Sequence, residues 1–272
     1  MALQLDFLAQ VIDRVRQREP VVHAITNWIT AGDVANALRA IGARPIMAVF
    51  QEEIEDVTSK ADALVLNLGT PDPSRVNAMV LAGKKANDLG RPVIFDPVGA
   101  GASLFRMEAT RRILSEIQMT AIRGNQAEIG FLTETGGESR GVDAIRGPVD
   151  LKASGRSLSQ KTGAVVVLSG PEDFVVRNEN VWVVGNGDPM MGQLMGTGCM
   201  LAAVMGAFAA VERDPFVAAA GAVVFFGLAG ERAALGAKGP GTFRAALLDA
   251  LFTLRPEDVK AGAKIKSNGP SF

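Results

Sequence analysis

Short runs of β-branched and apolar residues alternate with longer stretches of helical spacing along the first two thirds of the chain. This alternation constrains the fold more than any other feature. The runs at 21–25, 45–49, 63–68, 93–95, 119–122 and 164–168 read as strands. Helical patterns separate them at 31–41, 52–60, 74–89, 103–117, 126–133 and 151–161. Strand–helix–strand order repeated in this way demands a mostly parallel sheet with helices on both faces, because parallel neighbours need a crossover. The run Ala63-Leu64-Val65-Leu66-Asn67-Leu68 is almost continuously apolar, as a strand covered on both faces must be. Runs at 174–176 and 181–184 are joined by Arg177, Asn178, Glu179 and Asn180, so a hairpin closes the sheet with an antiparallel edge.

Before the first strand, Leu5, Leu8, Val11, Ile12 and Val15 fall at helical spacing and make an amphipathic helix. From Gly196 onward the pattern is helical, at 197–211, 216–235 and 241–254. Thr30-Ala31-Gly32-Asp33 resembles a capping box with aspartate in place of glutamate. Segment 134–150, with Gly136, Gly137, Gly141 and Gly147, reads as a surface loop, and the tail beyond Arg255 as polar and frayed. No repeat, low-complexity block or second core divides the chain, so residues 1–272 are expected to form one domain.

Composition closes off several function classes. Lys plus Arg number 28 and Asp plus Glu 29, a net charge of -1, so neither nucleic acid nor an anionic membrane is generally attracted. The single cysteine, Cys199, excludes an intrachain disulfide and a multi-cysteine metal cluster. The single histidine, His23, excludes a two-histidine zinc motif. Two uncharged stretches, 189–211 and 215–230, read as buried core helices. Glycines break the first, and its remaining helix would span about 22 Å, short of a bilayer core of about 30 Å. The N-terminus lacks the pattern of a secretory signal, so the cytoplasm is the expected compartment.

In an open parallel sheet, ligands gather outside the carboxyl ends of the strands. Polar residues and glycines follow nearly every expected strand here: His23 to Asn27, Met47-Ala48, Asn67-Leu68-Gly69-Thr70, Asp96-Pro97-Val98-Gly99, Arg123-Gly124-Asn125 with Glu128, and Ser169-Gly170. Gly196-Thr197-Gly198-Cys199-Met200 opens an apolar helix. Free N–H groups at such a start suit a phosphoryl group in transfer, and close packing is the other use of Gly196 and Gly198. There is no Walker-type lysine motif. Asp96 and Glu128 supply two carboxylates suited to Mg²⁺, and each also has a local role open to it, as a turn residue and as a first-turn glutamate. Arg123 suits phosphate through its planar fork, or an ordinary ion pair. Cys199 is a packing residue or, at an anion-binding helix start, a thiol of lowered pKa acting as base or nucleophile. His23 reads equally as a structural or a functional histidine, and Cys199 with His23 would make a Cys-dependent hydrolase.

Taken together these segments resemble the hydroxyethylthiazole kinase family, over about Val22 to Leu254. Asp33-Val34-Ala35-Asn36 and Gly239-Pro240-Gly241-Thr242-Phe243 add to the match, and the cysteine at 199 with the early His-Ala-Ile-Thr-Asn run is its most specific part. The resemblance implies an α/β ribokinase-like fold. It implies phosphorylation of the primary alcohol of 4-methyl-5-(2-hydroxyethyl)thiazole by ATP and Mg²⁺, in thiamine biosynthesis or salvage. Met47 and Gly196 would contact the thiazole, with Asn67 and Gly69 beside it. Arg123 and Ser169, with Asn125, would contact ATP, and Asp96 and Glu128 would serve Mg²⁺. Cys199 would stand where related kinases place an aspartate base. A homotrimer is also implied, its site shared between subunits, with His23 and Asn27 lining it from a neighbour and Met190, Met191 and Met195 partly facing a partner. Met195 replaces a frequent threonine, Ala48-Val49-Phe50 lacks a frequent aspartate, and Ser169 keeps the hydroxyl of a frequent threonine. The other readings are a related small-alcohol kinase such as one for hydroxymethylpyrimidine, the Cys-dependent hydrolase, and a non-catalytic nucleotide-binding protein.

Overall fold

The computed structural model describes residues 2–134, 138–140, 143–146 and 150–267. Its strands are β1 (Val21–Ile25), β2 (Arg44–Ile46), β3 (Ala63–Asn67), β4 (Val93–Asp96), β5 (Ala121–Asn125), β6 (Glu138–Arg140), β7 (Asp143–Arg146), β8 (Val165–Ser169), β9 (Asp173–Arg177), β10 (Asn180–Val184) and β11 (Ile265–Ser267). Nine of them form one sheet in the order β11-β10-β9-β8-β5-β4-β3-β1-β2. Pairing is parallel from β2 to β8 and antiparallel from β8 through β9 and β10 to β11. The expected α/β architecture with an antiparallel edge is therefore present.

The helices are α1 (Ala2–Arg18), α2 (Ala31–Ala40), α3 (Gln51–Lys60), α4 (Pro73–Asp88), α5 (Leu104–Glu116), α6 (Gln126–Leu132), α7 (Leu151–Thr162), α8 (Thr197–Val211), α9 (Pro215–Ala234), α10 (Pro240–Thr253) and α11 (Pro256–Gly262). Helices α1, α2 and α8 to α11 cover one face of the sheet, and α3 to α7 the other. Successive strand side chains point to opposite faces, so each strand divides its residues between two cores. Val22, Ala24, Val65, Ile94, Ala121, Val165 and Val167 pack toward α8 and α9. Ile25, Leu64, Leu66, Phe95, Ile122, Val166 and Leu168 pack toward the opposite layer. Both long apolar helices are buried, as their composition requires, and α9, which has the length and apolarity of a membrane span, has 78% of its apolar window inside the protein.

Several expectations change. Strand β2 ends at Ile46, so Met47 to Phe50 leave the sheet. Beyond Arg255 the described residues form α11 and β11, because β10 presents an open edge whose backbone groups β11 satisfies, and residues 268–272 lie outside the described residues. Segment 134–150 contains the hairpin β6–β7, while Gly136, Gly137, Gly141 and Gly147 lie outside the described residues. Thr30 makes no side-chain cap for α2, since its hydroxyl accepts a hydrogen bond from Asn27 instead. The methionine-rich stretch also divides. Met190 and Met191 pack against the core, Met191 so closely on Gly230 that a Cβ there would meet its sulfur, and only Met195 is exposed.

Candidate active site

The alternation that fills the core also builds the site. On the α8 face, the next residue after the last apolar one is Asn67 on β3, Asp96 on β4, Arg123 on β5 and Ser169 on β8. Asn67 is the register partner of Asp96, and Asn125 that of Ser169, so the polar residues arrive level with one another at the carboxyl ends of the strands. The start of α8 meets them there.

Asp96 is completely buried. Its Oδ2 accepts a 2.6 Å hydrogen bond from Asn67 Nδ2, while Oδ1 has no hydrogen-bond partner. Arg123 Nη1 lies 3.6 Å from that Oδ1, and Arg123 Nε donates to Ser169 Oγ at 2.9 Å. Burial drives the Asp96 carboxyl above the usual range, and Arg123 and the Asn67 bond pull against it. The guanidinium loses solvation too, yet Asp96 and Glu128 hold it charged above its ordinary value.

Helix α8 begins after Gly196, whose φ of 93° is left-handed and whose missing side chain makes room for Thr30. The first intrahelical bond runs from Met200 N–H to Gly196 C=O. The N–H groups of Thr197, Gly198 and Cys199 therefore have no intrahelical acceptor and carry the positive end of the helix dipole. A Cβ at residue 198 would sit 2.2 Å from Arg123 Nη1, so glycine there lets the guanidinium lie against this first turn. An arginine fork and free amides thus share one anion-binding corner.

Glu128 works from the next loop. Asn125 and Glu128 form a capping box at the start of α6. Glu128 Oε2 accepts from Asn125 N at 2.7 Å, and Oε1 accepts from Gly99 N at 2.8 Å, which ties the loops after β4 and β5 together. Burial, reinforced by Asp96, pushes its carboxyl up to about 7.

Asn27 and Asn67 form the floor beside Cys199. Asn27 Nδ2 donates to Thr30 Oγ1 at 2.8 Å and to Asn67 Oδ1 at 3.0 Å, and Gly69 N donates to that same Oδ1 at 3.0 Å. Cys199 Sγ lies 3.2 Å from Asn67 Nδ2 and 3.5 Å from Asn27 Nδ2. Asn27 therefore belongs to the cluster of its own chain. The expected lowering of the Cys199 pKa does not occur. Burial and the adjacent Asp96 carboxylate push the thiol up to about 11, outweighing the hydrogen bonds from Thr30 and Asn67 and the Arg123 charge.

His23 does not join this cluster. One step in β1 places it on the opposite face, fully buried, with Nδ1 3.0 Å from Thr58 Oγ1 and Nε2 3.0 Å from the Ala48 carbonyl oxygen. On that face it does not pair with Cys199, and its side chain has no exposed surface in this chain. Met47 is half-buried against the α8-side core. Two site-supporting residues had no sequence signal that pointed to them. Arg106 Nη1, reaching from α5, donates to the carbonyls of Leu68 at 2.7 Å and Val98 at 2.6 Å, clamping the loops after β3 and β4. Asp173, at the start of β9, accepts from Gly170 N at 3.0 Å, and desolvation pushes its carboxyl up to about 6 despite Arg123 nearby.

Comparison with known proteins gives a consistent result. The model of the hydroxyethylthiazole kinase family matches residues 12–257. A hydroxyethylthiazole kinase of Desulforudis audaxviator is 45% identical over 97% of this chain and 96% of its own length. The structure of a hydroxyethylthiazole kinase protein from Pyrococcus horikoshii superposes with a TM-score of 0.88 at 36% identity, covering 97% of this chain and 99% of that one. A ribokinase-like superfamily protein from Enterococcus faecalis, 17% identical, shares the fold with a TM-score of 0.62 over 85% of this chain and 86% of its own.

Proposed function

The chain belongs to the hydroxyethylthiazole kinase family, phosphotransferases with an alcohol acceptor, and from that premise we propose how its residues divide the work. The reaction is transfer of a phosphoryl group from ATP to the primary alcohol of 4-methyl-5-(2-hydroxyethyl)thiazole. The observation that carries the residue assignment is the meeting of the free amides of α8, the Arg123 guanidinium and the Asp96 oxygen that has no hydrogen bond, at one end of the sheet.

The N–H groups of Thr197, Gly198 and Cys199 bind the oxygens of the phosphoryl group in transfer, where fixed dipoles in a dry site are worth most. Arg123, aimed by Ser169, pairs with the ATP phosphates, and Asn125 supports them from the start of α6. Asp96 and Glu128 hold Mg²⁺. The fit is chemical: Asp96 Oδ1 is a buried acceptor with no hydrogen bond, and each Glu128 oxygen has accepted one backbone N–H and keeps further acceptor capacity. Among the described residues no group of three or more metal-ligating side chains is assembled, as suits a cation held largely by phosphate oxygens and water. Bound there, Mg²⁺ supplies charge neutralisation at the phosphates.

Met47, Gly196, Asn67 and Gly69 receive the thiazole, with Asn27 orienting Asn67. The acceptor hydroxyl faces Cys199. Phosphoryl transfer draws most of its rate from positioning and charge stabilisation, so a thiol of pKa about 11 is a tolerable neighbour for that hydroxyl. A Cys–His hydrolase is not supported, because His23 is turned away and the thiol is held protonated.

The active form is a cytoplasmic homotrimer with the whole chain as one domain in each subunit. Trp28, Ile29, Phe50 and Met195 are large, apolar and exposed, and each lies within three residues of Asn27, Met47 or Gly196. An apolar rim of this kind suits a second copy of the chain. A coupled ADP-release assay tests the reading, run with the thiazole alcohol, with the pyrimidine alcohol and without acceptor, beside light scattering. Mg²⁺-dependent release with the thiazole alcohol, from a trimer, is expected. Turnover of the pyrimidine alcohol alone would reassign the substrate, and ATP binding without turnover would reduce the protein to a nucleotide binder.

A further inference from the structure

We propose that His23 is a positioning residue for the acceptor site, its imidazole fixing the backbone beside Met47 and so setting the affinity for the alcohol. The inference rests on the reading of Met47 as an acceptor contact.

Strand β2 is three residues long, lies at the sheet edge and pairs only with β1. His23 is the register partner of its last residue, Ile46. Beyond Ile46 the chain has no ladder to hold it. Two residues on, the Ala48 carbonyl meets His23 Nε2 at 3.0 Å. Ala48 packs into the core on the α3 side, whereas Met47 packs against the core on the α8 side. The bond to Ala48 thus sets the direction in which Met47 projects, onto the face where Gly196 and Cys199 start α8.

The hydrogen-bond chemistry allows one economical arrangement. A carbonyl only accepts, so Nε2 carries the proton and donates to Ala48, leaving Nδ1 to accept from Thr58. The Thr58 hydroxyl also lies 2.7 Å from the Ile54 carbonyl, so its single proton is divided between two acceptors. The bond from Nε2 to Ala48 has no competitor. Burial, which lowers the His23 pKa, keeps the ring neutral and so preserves this assignment. An apolar residue at 23 would fill the space but leave a buried carbonyl without a donor, and the loop would move to find one.

Four variants test this. Glutamine extends its amide nitrogen about as far as Nε2, whereas asparagine reaches only about as far as Nδ1. His23→Asn is expected to raise KM for the thiazole alcohol about tenfold, with kcat and KM for ATP changed by less than about twofold. His23→Gln should bring the acceptor KM back to within about threefold of the native value, and Thr58→Val should shift it by less than about twofold. Met47→Ala should raise the acceptor KM in its own right. If His23→Asn does not fold, His23→Met, which fills the space without a donor, takes its place with the same expected shift. An unchanged acceptor KM in the folded donor-less variant would overturn the inference, as would a glutamine variant no better than asparagine. Failure of Met47→Ala alone to raise it would instead remove the reading of Met47 on which the inference stands.

Discussion

Two completely buried polar side chains, His23 on β1 and Asp96 on β4, lie two strands apart on opposite faces of the sheet. Both are of residue types that a sequence reader singles out, and both lie among polar groups, His23 against Thr58 and Ala48 and Asp96 against Asn67 and Arg123. His23 has a partner for each ring nitrogen, Thr58 and Ala48. Asp96 has a partner for Oδ2 only, and its Oδ1 faces Arg123 at 3.6 Å without a hydrogen bond. Burial is therefore no mark of a reaction centre. Unused hydrogen-bonding capacity that meets other site groups is the better mark: Thr110 Oγ1 on α5 is also buried without a hydrogen bond, but only Asp96 Oδ1 lies beside Arg123 at the start of α8. The first group completes a frame, and the second faces the proposed phosphate site.

The sharpest way to break this contrast is to remove the unsatisfied group. Asp96→Asn keeps the shape and loses the charge, and kcat is expected to fall about 10³-fold. ADP release over a Mg²⁺ titration measures it, and a loss of less than tenfold would make Asp96 part of the frame, like His23. Arg123→Met comes next, with turnover lower by about 10²-fold and a higher KM for ATP. It also leaves Asp96 buried without its cation, a situation that costs about 3–5 kcal/mol of stability. The double variant Asp96→Asn, Arg123→Met should recover much of that stability in thermal unfolding and none of the activity. Recovery of both together would mean that the pair serves only folding.

The smallest effect is expected at Cys199. With its pKa raised to about 11, only about one thiol in a thousand is ionised at pH 8. Cys199→Ala should then cost about tenfold, below the roughly 10²- to 10⁴-fold that general-base help typically supplies. The sign of the pH dependence follows from the raised value: thiolate appears only as pH climbs toward about 11, so any contribution from it grows with pH and is absent from the alanine variant. Cys199→Asp, which offers an ionisable acceptor at the same helix start, should stay active. A folded but inactive aspartate variant, or a covalent adduct on Cys199 in mass spectrometry, would return the cysteine to the role of nucleophile.

Much of this site was legible in the chain. The strand–helix alternation determined the layers and the parallel sheet. The polar residues after each apolar run marked the end of the sheet at which the structure gathers the candidate site. Period two brings Asn67, Asp96, Arg123 and Ser169 to one face, because each follows an α8-facing apolar residue by two positions. The glycines at 196 and 198 marked the helix start, although the need of Gly198 to admit Arg123 emerged only from the packing. Tertiary structure alone decided the rest. His23 reads along the chain equally as a structural or a functional histidine, and its position in β1 turns it toward α3. The Cys199 pKa lies opposite to the expectation from its helix start, since desolvation and a carboxylate from β4 raise it. Arg106 closes two strand-end loops from α5, and β11 pairs with β10 across some eighty residues of chain, neither of them by any local motif. Periodicity and turn chemistry are local and can be read along the chain. Desolvation, unused hydrogen-bonding capacity and edge pairing depend on which distant segments come to lie side by side.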